Sequence, residues 1–161
     1  MHSDIPNHRL RVSVVVFFAL IGIFIIDQNI KMLFVDGFRY YSDCIDLILV
    51  YNKGVAFSMF AFLEEWLKYI QLLIVAIFLT YVIYLKKCYY ALPTGLMLGG
   101  AVSNIYDRFI HGGVVDMVYW HCGFDFAVFN FADVMIDIAV VWILILNFRP
   151  SITQKSKSCK N

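Results

Sequence analysis

Runs of apolar residues dominate the chain, and polar positions fall in the breaks between them. The first run extends from Val12 to about Val35 and carries no charge as far as Ile26. The others run from about Trp66 to Leu85, from about Tyr89 to Tyr106 and from about Phe131 to Phe148. A helix needs about 20 mostly apolar residues to cross the hydrocarbon of a bilayer, so this pattern predicts four crossings. The expected fold class is an all-α polytopic membrane protein with four transmembrane helices. Arg9 and Arg11 ahead of the first run raise the alternative of a signal peptide, but the run is too long and no small-x-small cleavage site follows it. Residues 1–148 read as one four-span domain, and residues 149–161 as a polar, Lys-rich, disordered tail.

The breaks have patterns of their own. Ile45 to Tyr51 is β-branched and aromatic and is closed by the turn-forming Asn52-Lys53-Gly54, which predicts a short strand or two in that connection. Val55 to Trp66 is rich in Phe and Met and has Glu64 and Glu65 near its end. It suits a segment lying in the membrane interface, the alternative being the frayed start of the second helix. Gly112-Gly113-Val114-Val115 reads as a flexible stretch just beyond the third run. Gly95, Gly99 and Ser103 recur every four residues and mark a packing face for a neighbouring helix.

Composition removes whole classes of function. Of 161 residues, 61% are hydrophobic and 16% charged, which excludes intrinsic disorder and a disulfide-dense secreted scaffold. Thirteen Lys and Arg against twelve Asp and Glu leave a net charge of +1, so no basic surface argues for nucleic acid. The cations instead set orientation. Arg9 and Arg11 precede the first span, Lys86 and Lys87 lie between the second and third, and Arg149, Lys155, Lys157 and Lys160 follow the fourth. Positive charge stays in the cytoplasm, so both termini and the 86–88 turn are expected there, with residues 36–65 and 109–130 facing outward.

Cys44, Cys88, Cys122 and Cys159 are scattered without a CxxC pair, and His121-Cys122 offers too few ligands for a structural metal site. More telling are polar residues placed where burial in lipid is unfavourable. Asp27, Gln28 and Lys31 lie near the outer end of the first span, Asn104, Asp107 and Arg108 at that of the third, and Asn130 and Asp133 at that of the fourth. Such groups cost a few kcal/mol in hydrocarbon unless paired or facing a wet cavity. Asn104 and Arg108 share a helix face at i, i+4, and Asn130 and Asp133 are neighbours at i, i+3. Asp27 with Lys31 also reads as a plain i, i+4 ion pair, and Asp107-Arg108 as an interfacial charge pair. Asp116 and Asp133 are the most suggestive carboxylates: two held close cannot both ionise easily, so they share a proton and act in turn as base and acid on water. Asp137, four residues after Asp133, is not separated from it by periodicity alone. A rival of another class is a proton or ion relay through Asp27, Asp116, Asp133 and Asp137. It needs acids spread through the bilayer depth, whereas all but Asp137 gather at the outer side.

These residues also carry a resemblance. Asn52-Lys53-Gly54-Val55-Ala56-Phe57-Ser58, then Gly99 to Arg108 continuing to Gly112-Gly113-Val114-Val115-Asp116, then Phe129-Asn130-Phe131-Ala132-Asp133 resemble, in order, the signature blocks of the lipoprotein signal peptidase (signal peptidase II) family. Asp27-Gln28 with Lys31 resembles its first block. The resemblance implies an intramembrane aspartyl endopeptidase of the bacterial cytoplasmic (inner) membrane, with four spans and a small extracytoplasmic β-rich cradle. Its substrates are prolipoproteins, cut just before a cysteine that already carries diacylglycerol. On that match Asp116 and Asp133 are the catalytic pair; Asn52, Gly54, Asn104, Arg108 and Asn130 bind substrate or hold the site; Asp27, Lys31 and Asp107 give structural support. It implies no metal and no cofactor, and partners limited to diacylated prolipoproteins and membrane lipid, with the enzyme a monomer. Where the family usually has Gly before the Asn of the third block, this chain has Ser103, a departure that bears on the shape of the lipid pocket.

Overall fold

The computed structural model describes residues 4–54, 64–85 and 88–148. Four helices and two strands follow one another as α1 (Asp4–Val35), β1 (Ile45–Asn52), α2 (Glu64–Leu85), α3 (Ala91–Ile110), β2 (Val114–Trp120) and α4 (Phe131–Phe148), with a short 3-10 turn at Cys88–Tyr90 before α3. Each predicted apolar run is a helix. Among the described residues, only Leu10–Val35 and Phe131–Phe148 are long and apolar enough to cross a membrane by themselves, and Trp66–Val82 is a shorter apolar helix. The four-span expectation is therefore met as four helices but only two self-sufficient spans. Helix α2 falls short because it opens with Glu64 and Glu65 and its apolar part is only Trp66–Val82, and α3 because its outer turns carry the polar Asn104, Asp107 and Arg108. Helix α1 begins at Asp4, ahead of the expected Val12, and α3 runs past Tyr106 to Ile110. The proposed interfacial segment before Trp66 (residues 55–63), the Lys86-Lys87 turn and the tail of residues 149–161 lie outside the described residues.

Helix α3 is the hub, packing on α1, α4 and α2. The small-residue ladder explains how it gets so close to α1. A Cβ on Gly95 would sit 2.5 Å from Ala19 Cβ, and one on Gly99 2.8 Å from Ile23 Cβ. Gly100, turned toward α4, would place a Cβ 2.6 Å from the Ala132 carbonyl oxygen. Val12, Val16, Ala91 and Leu98 form the core of the α1–α3 seam. The opposite helix faces are apolar and bare: Phe18, Leu73, Ile77 and Tyr84 are all exposed. Apolar surface on that scale suits lipid rather than water.

Beyond the helix ends sits a two-stranded antiparallel sheet. Helix α1 stops in a Schellman turn, with Gly37 at φ +107°, its N–H on the Phe34 carbonyl and the Phe38 N–H on the Leu33 carbonyl. β1 pairs with β2 from Ile45↔Trp120 to Asn52↔Val114, with an irregularity between Leu47 and Val50. The predicted strand at 45–51 is present. Its partner is a correction, because the 112–115 stretch expected to be flexible leads straight into β2. Gly112 makes the turn at φ +71°, and Gly113 passes the β1 backbone so closely that a Cβ would lie 3.1 Å from the Asn52 carbonyl oxygen. Val115 and Met117 of β2 pack on Phe34 at the end of α1, which seats the sheet on the bundle. At its far end Cys44 and Cys122 are joined by a disulfide, with their Cα atoms 4.4 Å apart. These cysteines, unrelated by local spacing at a sequence separation of 78, are brought together by the strand register.

Candidate active site

The polar residues near the outer ends of the helices sort into two adjoining clusters. In the first, Lys31 of α1 is 2% exposed and directs its three N–H bonds to Asp27 Oδ2 (2.6 Å), Asp107 Oδ2 (2.7 Å) and Asn104 Oδ1 (2.8 Å). Asp27 also accepts the Ser103 hydroxyl at 2.6 Å and, through Oδ1, the Ala132 N–H at 2.8 Å, so an α1 carboxylate satisfies a free donor at the start of α4. Asp107 accepts from Gln28 Nε2 at 2.8 Å and from the Val115 N–H at 3.1 Å. The cluster thereby ties α1, α3, α4 and β2 together.

Three expectations need adjustment here. The Asp27–Lys31 pair exists, but it is buried and part of a network rather than a plain pair at the end of a span. Asp107 and Arg108 do not pair as neighbours, since successive helix residues point in different directions. Asp107 turns to α1, and Arg108 turns to the second cluster. Ser103 has no place in the lining of that cluster's cavity: its hydroxyl sits between α1 and α3, donating to Asp27 and accepting from Gln28 Nε2 at 2.8 Å.

The second cluster surrounds a cavity of about 310 Å³ lined by, among others, Asn52, Asn104, Arg108, Asp116 and Asp133. Three asparagines fix the two carboxylates. Asn52 Nδ2 donates to Asp116 Oδ2 at 2.9 Å, and Asn130 Nδ2 donates to Asp116 Oδ1 at 2.7 Å. Asn104 Nδ2 donates to Asp133 Oδ1 at 2.8 Å, and the Asn130 backbone N–H donates to Asp133 Oδ2 at 3.1 Å. Asn130 and Asp133 also form a reciprocal cap on α4, because the Asp133 N–H returns to Asn130 Oδ1 at 2.9 Å. Asn104 is oriented from behind: Lys31 can only donate, so the Asn104 oxygen faces it and the amide nitrogen faces Asp133. Each carboxylate oxygen thus has one protein donor and further acceptor capacity.

Asp116, on β2 and 2% exposed, has its pKa pushed up to about 6. Burial is the main cause and the charge of Asp133 adds to it, while the Asn52 and Asn130 hydrogen bonds and Lys31 act against the rise. Arg108 reaches across to the turn after β1, with Nη2 2.5 Å from the Gly54 carbonyl oxygen and Nη1 3.3 Å from the Asn104 carbonyl, and its Nε is buried without a partner. At His121-Cys122, Cys122 is in the disulfide and His121 Nε2 lies 3.4 Å from Asp46. Among the described residues no cluster of three or more His, Cys, Asp or Glu could hold a metal ion.

Residues 19–149 match the family described as signal peptidase (SPase) II. The chain belongs to this family. The lipoprotein signal peptidase of Sulfurimonas denitrificans is 72% identical over 155 residues, covering 96% of this chain and 97% of that one. That of a Sulfurovum species is 59% identical over 140 residues, 85% and 94% of the two chains. A bacterial membrane enzyme solved by the in meso method at 2.3 Å shares the fold, with a TM-score of 0.73 over 91% of both chains at 22% identity.

The site residues that the signal peptidase II resemblance names occupy the two clusters. Asp27, Lys31 and Asp107 fall in the first; Asn52, Gly54, Asn104, Arg108, Asp116, Asn130 and Asp133 fall in the second or on its rim. Sequence reasoning passes over one cavity residue, Gln71 of α2, and sets another aside, Asp137 of α4. A signal for Gln71 exists: it is an amide between Ile70 and Leu72, inside the largely apolar run that forms α2.

Proposed function

We propose that this chain is an intramembrane aspartyl endopeptidase that removes signal peptides from prolipoproteins, cutting just before a diacylglyceryl-modified cysteine. The observation that carries this reading is the pair Asp116 and Asp133, lining one cavity and tied through Asn130. With one proton between them, the ionised carboxylate takes a proton from a water molecule as its oxygen attacks the scissile carbonyl. The protonated partner gives its proton to the carbonyl oxygen. Collapse of the tetrahedral intermediate then breaks the C–N bond, and the leaving amine takes a proton from the pair. Burial of Asp116, which raises its pKa, suits it to hold that proton. Asn52, Asn104 and Asn130 fix the carboxylates, Arg108 and Gly54 hold the substrate backbone, and Asp27, Lys31 and Asp107 brace the frame. No step calls for a metal or a covalent nucleophile.

The same reading gives a four-span enzyme of the bacterial inner membrane, acting as a monomer, with both termini in the cytoplasm and the site near the outer face. Helix α3 reaches full insertion because its polar Asn104, Asp107 and Arg108 face the bundle, where partners replace water. A diacylglyceryl group buries many methylenes, each worth about 0.8 kcal/mol, and anchors the cysteine at the depth of the site. Lipid is then a positioning handle, and its removal costs most of the rate. The test is cleavage by purified protein of one prolipoprotein in lipidated and unlipidated form, with and without EDTA or serine and cysteine protease reagents. Cleavage confined largely to the lipidated form and indifferent to all three reagents is expected; equal cleavage of both forms, or loss with EDTA that zinc restores, sinks the proposal.

A further inference from the structure

The cavity holds two polar side chains that the carboxylate network does not use. Gln71 enters from α2, with its Oε1 buried and without a hydrogen-bond partner among the described residues. Asp137 enters from α4, one helical turn beyond Asp133 and so farther from the sheet. Helices α2 and α4 both flank α3 but pack no extensive seam of their own among the described residues. Gln71 and Asp137 therefore line the same opening from two different helices, Asp137 farther from the sheet than Asp133 and Gln71 on another helix altogether.

The chemistry of cleavage gives that position a demand to meet. A signal helix in lipid satisfies its backbone N–H and C=O groups internally, and a peptide bond must leave the helix to lie extended between two carboxylates. Each backbone group freed in this way costs several kcal/mol in hydrocarbon unless it finds a new partner. We infer that Gln71 and Asp137 are positioning residues that hydrogen-bond the unwound backbone of the signal peptide just before the scissile bond, and thereby set which signal peptides are cut efficiently. Gln71 offers both an acceptor and donors, and Asp137 adds acceptors from α4. The buried, unpartnered Gln71 oxygen is the feature that a merely structural role leaves unexplained, since a native protein rarely leaves such an atom orphaned. The inference rests on the peptidase reading above and deepens it, naming helical propensity before the cut as the property that the enzyme compensates.

The experiment uses two lipidated prolipoproteins that differ only in the residues immediately before the cut, helix-forming (Leu and Ala) in one and helix-breaking (Gly and Ser) in the other. The full-length enzyme is compared with Gln71→Met, Asp137→Leu and Asp137→Asn, separating kcat from KM. On the helix-forming substrate Gln71→Met and Asp137→Leu are each expected to lose about tenfold in kcat, the loss of one hydrogen bond to the unwound chain. On the helix-breaking substrate they lose about twofold or less, because that segment is already open. Asp137→Asn, which keeps hydrogen-bonding capacity, stays close to the unaltered enzyme on both. Equal losses on the two substrates, or no loss on the helix-forming one, overturn the inference while leaving the peptidase reading intact. Failure of the unaltered enzyme to cut either substrate overturns both.

Discussion

The two polar clusters share residue types, depth and even a residue, yet they differ in how far their hydrogen-bonding groups are satisfied. Around Lys31 every ammonium proton has an acceptor, and each oxygen of Asp27 and Asp107 has at least one donor. Around the cavity satisfaction is incomplete: Asp116 and Asp133 have capacity to spare, Arg108 Nε and Gln71 Oε1 have no partner, and the shared space is open. On the proposed reading the saturated cluster joins helices, whereas the unsaturated one receives the substrate. Asn104 links them, receiving Lys31 on its oxygen and presenting its nitrogen to Asp133. Charge alone does not separate structural from reactive groups in a membrane protein; unused hydrogen-bonding capacity does.

The largest effect that would test this contrast lies in the unsaturated cluster. Asp116→Asn and Asp133→Asn are each expected to lower turnover by about a thousandfold or more, since an amide can neither accept nor return the proton. Membrane insertion and thermal stability should change far less, which a melt in detergent checks. Appreciable turnover by either variant removes that residue from the pair.

Lys31→Met addresses the saturated cluster. It leaves Asp27 and Asp107 buried without their cation, and breaking a buried ion pair from one side costs about 3–5 kcal/mol. The expected outcome is a large fall in Tm or failure to accumulate in the membrane, with activity lost only as the fold is lost. Neutralising both acids in the same chain, as Lys31→Met with Asp27→Asn and Asp107→Asn, should recover part of the stability. A Lys31→Met protein that melts like the original but cannot cleave would move Lys31 into the chemistry.

A smaller effect is expected from Ser103→Ala, which removes one donor from Asp27 and one acceptor from Gln28. The cost is about 1–2 kcal/mol of stability, read as a lower Tm, with cleavage retained. Loss of lipid selectivity by this variant would return Ser103 to the pocket.

The subtlest comparison is in pH. Asp116, raised to about 6, stays protonated in the folded protein over a range where an exposed Asp is ionised. Its contribution to stability is therefore present at low pH and lost as pH rises through about 6. If it also holds the shared proton, kcat/KM falls on the alkaline side as that proton leaves. Asn52→Ala removes a hydrogen bond that favours the charged form, so the alkaline limb should move to higher pH. A limb that stays in place separates Asn52 from the protonation of Asp116.

Much of this architecture is legible in the amino-acid sequence, because apolar run length and four-residue spacing are local signals. They locate the four helices, the Gly95-Gly99-Ser103 packing face and the strand at 45–51, and the family resemblance points to ten of the residues in the two clusters. What one-dimensional patterning does not supply is partnership. Gly112 to Val115 reads as a flexible stretch and the strand from Val114 to Trp120 goes unread, because a strand of seven residues declares itself only when another strand lies beside it. Cys44 and Cys122 read as unrelated for the same reason, and Asp107 pairs on paper with its neighbour Arg108 rather than with Lys31.

By itself, then, the sequence determined that helices form, how apolar they are and which family the chain belongs to, because hydropathy and motif order are properties of the chain read in line. The tertiary structure decided which carboxylates are neutralised by Lys31 and which face the cavity, since that depends on donors contributed by α1, α3, β2 and α4 meeting at one point. It also decided that Gln71 faces the cavity with its oxygen unpartnered. Burial and hydrogen-bond saturation belong to the folded arrangement, and in a medium with no water to fill the gaps they separate scaffold from site.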